Sequence, residues 1–355
     1  MSQLTNLIAK RVRTKCLRAL RSVGVHPRTI AALSGGNKLL PSQAADLALM
    51  RSDNSAASEP FRATPIWVAL AREFDAWFAF EGIADVECQQ MNGFFSSPFP
   101  GDPKLLRYAS WMLFEHLKKR DAYGVLGSVD ATIDSLDSDL AFDFDGKICT
   151  WDYLISVDSF YTIVEANPKI LTDRLTVAEL GAGWGRIGHI LKRVNPLLTY
   201  VVFDLPEVLL VSSVHLPRRL PTETVLSYRD SRSLTRIGRA DVHDKGLVFL
   251  GAHDLEKCED GLFDCFINIA SFQEMTKTQV GRYFDIVDRV LCGTFYTQQL
   301  WTSKTHAYGV GEIAGFEDYP FKHAWEKQFV RNTTWSDLYF ETVFQNTERP
   351  AAATC

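Results

Sequence analysis

The chain has 355 residues, with 38 Lys or Arg against 43 Asp or Glu, so its formal net charge is -5 at pH 7. A hydrophobic fraction of 46% and a charged fraction of 23% are typical of globular proteins, and they exclude a mainly disordered chain, a collagen and a coiled-coil rod. The mild acidity argues against a dedicated nucleic-acid-binding protein, which usually carries a basic field.

Seven cysteines are spread along the chain without C-x-x-C pairs or a His cluster at zinc spacing. The sequence therefore assigns no metal ligands and favours a reducing, cytoplasmic compartment. No run approaches the roughly 18 uncharged apolar residues that a membrane-spanning helix needs. The N-terminus also lacks the apolar core and cleavage site of a secretory signal.

The first 25 residues predict a basic amphipathic helix. Apolar residues recur at near-helical spacing from Leu4 to Val23, and residues 1–45 contain eight Lys or Arg and no acidic residue. Such a helix can lie on an anionic membrane surface, which would make the protein peripheral to a membrane. The alternatives are a solvated helix docked on the rest of the protein and a transit peptide.

Residues 1–145 are predicted to form a mainly helical region that caps the rest of the chain. Residues 52–61 have the composition of a flexible loop, and a helix is expected over residues 66–80. Asp102 as N-cap and Pro103 at the first helical position predict another helix. We expect that helix to direct seven apolar residues toward a core: Leu105, Leu106, Tyr108, Trp111, Met112, Leu113 and Leu117.

The pattern changes at Leu175. Short apolar runs now alternate with helical patterns, which predicts a parallel sheet flanked by helices. Residues 324–346 read as two strands with a turn at Asn332, which would add an antiparallel hairpin. Residues 146–355 are therefore assigned to an α/β domain.

The main signal for chemistry is a glycine-rich segment after the first of these strands. It reads Glu179-Leu-Gly181-Ala-Gly183-Trp-Gly185-Arg-Ile-Gly188. Glycines let the backbone turn tightly and approach a ligand, and the next helix offers free N–H groups. Because a carboxylate at Glu179 would repel a pyrophosphate but attract an ammonium group, the segment predicts a site for a zwitterion beside a nucleoside, namely S-adenosyl-L-methionine.

The next two strands support a nucleoside site. Asp204 ends the second strand, where an acid accepts hydrogen bonds from ribose hydroxyls in both NAD and adenosylmethionine sites. The third strand leads to Asp254 and Leu255, whose carboxylate and N–H can pair with adenine. An ordinary loop acid at Asp254 is an equally good interpretation.

A polar cluster follows the fourth strand. Asn268 ends that strand, and Ser271, Gln273 and Glu274 come next. Because ligands of open parallel sheets bind beyond the carboxyl ends of the strands, we expect Ser271 and Gln273 to contact the substrate. The alternative is a capping segment in which Ser271 or Thr276 starts the next helix, and both roles can hold together.

Together these segments resemble the sugar O-methyltransferases, a class I S-adenosyl-L-methionine-dependent family. The resemblance covers about residues 145–345 and is carried by AELGAGWGRIG, YVVFDLPEVL, FDCFINIASFQEM and a later YPF…W segment. It implies an α/β class I methyltransferase (Rossmann-like) fold, with an acceptor-side role for Asn268, Ser271, Gln273 and Glu274. The whole set of expected cofactor contacts is Glu179, Gly181, Ala182, Gly183, Gly185, Asp204, Leu205, Asp254, Leu255 and Asn268.

A sugar hydroxyl needs a base within hydrogen-bond reach while it attacks the methyl group. Glu274 is the first candidate, His306 the second and His253 the third; the alternative for each is a structural role. Trp301 and Tyr308 offer flat faces to the substrate, although each also suits a core.

The sequence thus predicts a cytoplasmic O-methyltransferase that uses S-adenosyl-L-methionine and acts on a hydroxyl of a sugar or glycoside. Two alternatives stay open. An NAD-dependent oxidoreductase would need a pyrophosphate site, which Glu179 opposes, and a non-catalytic adenosylmethionine-binding partner protein would bind the cofactor without turnover.

Overall fold

Between residues 39 and 80, the structure describes two helices that contact the later part of the chain. A computed structural model describes residues 39–80, 83, 102–128, 141–302 and 312–347, so the predicted helix of residues 1–25 lies outside it. Helix α1 (Pro41–Ala56) and helix α2 (Pro65–Phe80) are joined by a 3-10 turn, Glu59–Phe61. The predicted loop over residues 52–61 is wrong, because α1 continues to Ala56 and the buried Asn54 donates from Nδ2 to the Phe61 carbonyl at 3.1 Å.

Helix α3 (Pro103–Arg120) begins as predicted, since the Asp102 carboxylate accepts from the backbone N–H groups of Lys104 and Leu105, each at 3.0 Å. The expectation that all its apolar residues face a core is wrong. At about 100° per residue, they divide between two sides of the helix. Leu106, Leu113 and Leu117 are buried, whereas four others are 45% to 58% exposed: Leu105, Tyr108, Trp111 and Met112.

A short helix, α4 (Val125–Ser128), precedes an antiparallel hairpin of β1 (Ala141–Phe144) and β2 (Lys147–Thr150). This hairpin spans the predicted domain boundary near residue 145, which stays a prediction. Thr150 caps helix α5 (Trp151–Ala166) by accepting from the Tyr153 N–H at 3.1 Å. Nearly every residue of α5 is buried, so this helix is a central layer of the protein.

The main sheet has eight strands in the order β5-β6-β4-β3-β7-β8-β10-β9. Strands β3 to β8 pair in parallel, and β10 pairs antiparallel with both β8 and β9. The bounds are β3 (Thr176–Leu180), β4 (Thr199–Asp204), β5 (Val225–Leu226), β6 (Leu247–Gly251), β7 (Phe263–Ile269), β8 (Leu291–Leu300), β9 (Trp325–Thr333) and β10 (Ser336–Asn346).

The predicted fold class, a class I methyltransferase (Rossmann-like) mostly parallel sheet with a C-terminal antiparallel hairpin, is confirmed. The predicted turn at Asn332 is misplaced, because β9 continues through Thr333 and the turn falls at Thr334 and Trp335. Every residue of β3, β4, β6 and β7 is buried, as expected for strands covered on both faces.

Helices cover both faces of the sheet. They are α6 (Arg186–Val194), α7 (Pro206–Arg219), α8 (Tyr228–Ser231), α9 (Arg239–Val242) and α10 (Lys277–Val290). One hydrophobic core contains α5, α6 and α7, and a second contains α10 and aromatic residues of the β9–β10 hairpin. Within the ranges given above, no helix is long and apolar enough to cross a bilayer.

Candidate functional site

A cavity of about 1080 Å³, including its open mouth, lies at the carboxyl ends of the parallel strands. The sheet, helix α5, the C-terminal hairpin and the N-terminal helical region all contribute to its wall. The lining consists of Phe61, Arg62, Thr64, Trp67, Asp152, Ile155, Leu180, Gly181, Ala182, Gly183, Trp184, Arg186, Asp204, Leu205, Val208, Ala252, Ile269, Ala270, Ser271, Glu274, Met275, Gln279, Tyr283, Gln298, Trp335 and Tyr339.

The glycine loop (residues 181–185) lines this cavity through Gly181, Ala182, Gly183 and Trp184, whereas Gly185 is not part of the lining. Gly181 and Gly183 have φ values of 74° and 64°, a left-handed conformation that costs other residues free energy. A Cβ on Gly181 would also lie 2.4 Å from Oγ of Ser271. The loop therefore leaves bare backbone where any side chain would take space from a ligand.

Asp204 ends β4 on the cavity wall, as the sequence predicts for a residue that contacts a nucleoside. Its Oδ1 accepts from the Leu205 N–H at 2.7 Å, and its Oδ2 accepts from the Gly183 N–H at 3.0 Å. Burial raises the pKa of this carboxyl to about 8, because lost solvation outweighs the two backbone N–H donors. The site thus holds a buried acid whose ionisation an incoming hydrogen-bond donor would favour.

Replacing Asp204 with Asn is expected to flatten the pH dependence of stability in the ligand-free protein. Because the folded pKa of about 8 lies above the usual 3.8, the folded state holds more protons than the unfolded chain between these values. Stability therefore falls as pH rises through this window, by up to about 1.4 kcal/mol per pH unit for one group. Thermal unfolding from about pH 5 to about pH 9 measures the slope.

Asp53 provides a control whose pKa shifts in the opposite direction, because a hydrogen bond from Arg232 lowers the pKa of its carboxyl. The stability that Asp53 contributes is present above its unfolded pKa and is lost on acidification. Asp53→Asn should therefore leave the alkaline slope unchanged. If stability depended on pH in the same way in wild type and Asp204→Asn, the raised pKa of Asp204 would be contradicted.

Glu179 lies at the end of β3 but does not line the cavity. It is 1% exposed, and the buried Tyr200 hydroxyl donates to its Oε2. Burial raises the pKa of Glu179 to about 7, with the Tyr200 hydrogen bond and Arg186 opposing the shift. The structure therefore places the Glu179 carboxylate behind the cavity wall, and its role toward a ligand ammonium group stays a prediction.

A buried ion pair that sequence reasoning missed does line the cavity. Nη1 of Arg186 contacts Oδ1 of Asp152, and Trp184 donates from Nε1 to Oδ2 of Asp152 at 3.0 Å. The two charged side chains are 16% and 2% exposed. A guanidinium and a carboxylate thus stand side by side at the N-terminus of α6.

Glu274 lines the cavity from a 3-10 turn after β7. It is 7% exposed, and its Oε2 accepts from Nε1 of Trp67 at 2.9 Å. Because Trp67 belongs to α2, this bond links the N-terminal region to the end of β7. Thr64 also lines the cavity, and its buried Oγ1 has no hydrogen-bond partner among the residues that the structure describes.

Ser271 lines the cavity as predicted, whereas Gln273 and Asn268 lie behind its wall. Asn268 donates from Nδ2 to the Leu180 carbonyl at 2.9 Å, and its Oδ1 accepts from Gln299. Gln273 accepts from the Leu300 N–H at 2.7 Å. These amides hold the ends of β3, β7 and β8 together. They therefore affect the cavity by positioning the backbone of the strands that line it.

The third strand end contributes Ala252 to the lining but not His253, Asp254 or Leu255. The Asp254 carboxylate accepts from the Gly251 N–H at 2.9 Å and lies 2.7 Å from Nζ of Lys257. Leu255 is fully buried in the core. The structure therefore does not bring the expected adenine contacts, or His253 as a base, to this wall.

Of the remaining candidates, Trp301 packs against Phe340 and Phe316, with ring centroids 5.0 and 6.2 Å away, and does not line the cavity. His306 and Tyr308 lie outside the described residues. Across the described ranges, no group of three or more His, Cys, Asp or Glu could hold a metal ion.

No protein-family model matches the sequence, and no curated protein matches it. Among solved structures, a SAM-dependent methyltransferase from Aquifex aeolicus is 13% identical, with 54% of this chain and 90% of that one covered and a TM-score of 0.35. Magnesium protoporphyrin IX methyltransferase from Synechocystis PCC 6803, solved with bound SAM, is 8% identical, with coverages of 70% and 98% and a TM-score of 0.37.

The bifunctional kinase-methyltransferase WbdD is 15% identical over 55% of this chain and 39% of that longer one, with a TM-score of 0.37. Because these identities and TM-scores are low, the function has to be inferred from the cavity itself.

Proposed function

We propose that this protein is an S-adenosyl-L-methionine-dependent O-methyltransferase whose acceptor is a hydroxyl of a sugar or glycoside. One observation carries the proposal. A single cavity is lined by the glycine loop, Asp204 and the Asp152–Arg186 pair together with the carboxylate of Glu274. A nucleoside-linked amino acid and a hydroxyl acceptor would therefore share one cavity.

The glycine loop, Asp204 and the Asp152–Arg186 pair fit the cofactor. Gly181 and Gly183 present backbone without a side chain to the cavity, and Asp204 can accept hydrogen bonds from ribose hydroxyls. Asp152 complements an ammonium group and Arg186 complements a carboxylate, which are the two charges of an amino acid. When bound, S-adenosyl-L-methionine supplies a methyl group activated by a positively charged sulfur.

Charge also separates the proposal from an NAD-dependent oxidoreductase. Asp152, Asp204 and Glu274 line the cavity together with Arg62 and Arg186, and Arg186 is paired with Asp152. Because Arg186 is already paired, a pyrophosphate would have to bind beside the Glu274 carboxylate with Arg62 as the other cation, whereas a ligand with a single positive charge would be attracted by Glu274. The lining therefore favours the sulfonium cofactor.

Glu274 is the side chain best placed to take the proton of an acceptor hydroxyl. The Trp67 indole fixes one of its oxygens, which holds the carboxylate in one orientation against the cavity. Closure of the wall by α2 would exclude water from the acceptor. The residues of the cavity then have to align the acceptor hydroxyl and remove its proton.

The cavity lining also contains the residue types expected for a sugar site. Trp67, Trp335 and Tyr339 provide aromatic rings, and Thr64 and Gln279 provide hydroxyl and amide groups. Aromatic faces pack against the C–H surfaces of a sugar ring, while hydroxyl and amide groups pair with its hydroxyls. This mixture supports a sugar or glycoside over a purely apolar acceptor.

Binding of S-adenosyl-L-homocysteine, measured by calorimetry and thermal shift with NADH as the comparison, tests the cofactor. We expect stabilisation by the adenosyl ligand alone. Transfer of a labelled methyl group to a panel of sugars, glycosides and phenols then tests the acceptor. Stabilisation by NADH alone would contradict the first step, and cofactor binding without turnover would leave a non-catalytic binding protein.

Arg186→Met is expected to weaken binding of S-adenosyl-L-homocysteine by about 10- to 100-fold, the cost of a lost hydrogen bond to a charged group. Arg120→Met is the matched control. Arg120 pairs with the buried Asp158, and their side chains are 20% and 2% exposed, but neither residue lines the cavity. Equal losses of affinity in both variants would show that general destabilisation, rather than a ligand contact, is the cause.

A further inference from the structure

The outward face of helix α3 is apolar, although it faces solvent. Leu105, Tyr108, Trp111 and Met112 are 45%, 58%, 45% and 53% exposed, and the rings of Tyr108 and Trp111 lie 5.9 Å apart. These residues follow helical spacing, so they form one stripe on one side of the helix. A helix face in water normally carries polar residues, and a contiguous apolar stripe marks an interaction surface.

The same face is basic. Helix α3 contains five Lys or Arg and a single acidic residue, Glu115. Lys118 and Arg120 are engaged in ion pairs with neighbouring carboxylates. Three further cations are exposed: Lys104, Arg107 and Lys119. Lys104 lies four residues from Tyr108, and Lys119 lies seven from Met112, so two of these charges flank the stripe.

We propose that this face of α3 binds the surface of an anionic lipid bilayer. Tyr108, Trp111 and Met112 would enter the headgroup boundary, where Trp and Tyr are enriched. Lys104 and Lys119 would meet the lipid phosphates. The inference depends neither on the proposed methyl transfer nor on residues outside the described ranges.

Charge favours a bilayer over a second copy of this chain. Two α3 faces related by a twofold axis would bring Lys104, Arg107 and Lys119 against the same cations of the partner, and like charges oppose such a contact. The opposite face of α3 is packed against the rest of the protein. Leu113 and Leu117 are buried, and Arg120 pairs with Asp158 of α5, so binding through the outer face requires no rearrangement.

Co-sedimentation of the full chain with vesicles rich in phosphatidylglycerol, compared with phosphatidylcholine vesicles, tests the proposal. Lys104→Gln/Lys119→Gln should weaken binding to the anionic vesicles by about 25-fold at low salt, or about fivefold per charge. Tyr108→Ser/Trp111→Ser should weaken it by about tenfold or more. Because all four residues are exposed, melting temperatures should stay close to that of the parent.

Controls come from other surfaces. Lys169→Gln/Lys327→Gln removes two exposed charges, and Leu338→Ser removes a leucine that is 62% exposed on the C-terminal hairpin. Both should bind like the parent. Unchanged binding in the α3 variants would overturn the proposal and assign any lipid affinity to another part of the chain. Failure of the parent to bind anionic vesicles would also overturn it and leave the face to a protein partner.

Discussion

Replacing Glu274 with Gln is expected to lower the rate of methyl transfer by about 10²- to 10⁴-fold, the range of a general base. The change keeps the size of the side chain but removes its ability to take a proton. Binding of S-adenosyl-L-homocysteine should be nearly unchanged, because the proposed cofactor contacts are other residues, namely the glycine loop, Asp204 and the Asp152–Arg186 pair. Single-turnover transfer of labelled methyl, with calorimetry on the same samples, separates the two effects.

Trp67→Phe is the companion variant, since it keeps an aromatic ring and removes the Nε1 donor to Glu274. We expect a smaller fall in kcat, by about tenfold, because the carboxylate remains but is less well oriented. The cofactor affinity should again stay constant. A near-normal rate in Glu274→Gln would remove this residue from the role of base, whatever Trp67→Phe does.

Replacing Gly181 with Ala is expected to abolish cofactor binding and to destabilise the fold by several kcal/mol. The left-handed φ of 74° costs an alanine about 1–2 kcal/mol, and contact of the new Cβ with Ser271, at 2.4 Å, adds about 1–3 kcal/mol. Denaturant unfolding measures the stability, and calorimetry with S-adenosyl-L-homocysteine measures the binding.

A substitution at Gly146 measures the cost of the left-handed backbone alone, without a steric contact. Gly146 has a similar φ of 77°, but a Cβ there would meet nothing within 4 Å. Gly146→Ala should therefore cost only about 1–2 kcal/mol and leave cofactor binding intact. Adding Ser271→Gly to Gly181→Ala removes the contacted atoms, so the double variant should regain stability beyond the sum of the single changes. Strict additivity would contradict the steric account.

The sheet could be predicted because its strands are buried on both faces and read as uninterrupted apolar runs, such as FDCFINIA. The end of helix α1 could not be predicted, because its last turn consists of Ser, Asp, Asn and Ala, which are typical of linkers. The tertiary hydrogen bond of Asn54 overrides that composition. The exposed stripe of α3 was missed because apolar spacing gives a helix face but not the direction in which it points.

The cavity was predicted in part. The glycine loop, Asp204, Ser271 and Glu274 are local to strand ends, so their positions follow from the topology. Asp152 and Arg186 are 34 residues apart, and Trp67 is 207 residues from Glu274, so no sequence spacing could join them. The hydrogen bond from the Tyr200 hydroxyl to Glu179, the acid before the glycines, could not be predicted either, because it joins residues of two different strands.

The position of β10 between β8 and β9 has a consequence for biosynthesis. Until β10 has been synthesised, β8 has no neighbour on that side, because the strand that pairs with it comes later in the chain than β9. A nascent chain that stops at β9 would expose the edge of β8, which invites pairing with other chains. Pairing of β10, residues 336–346, with β8 is therefore the step that covers this edge.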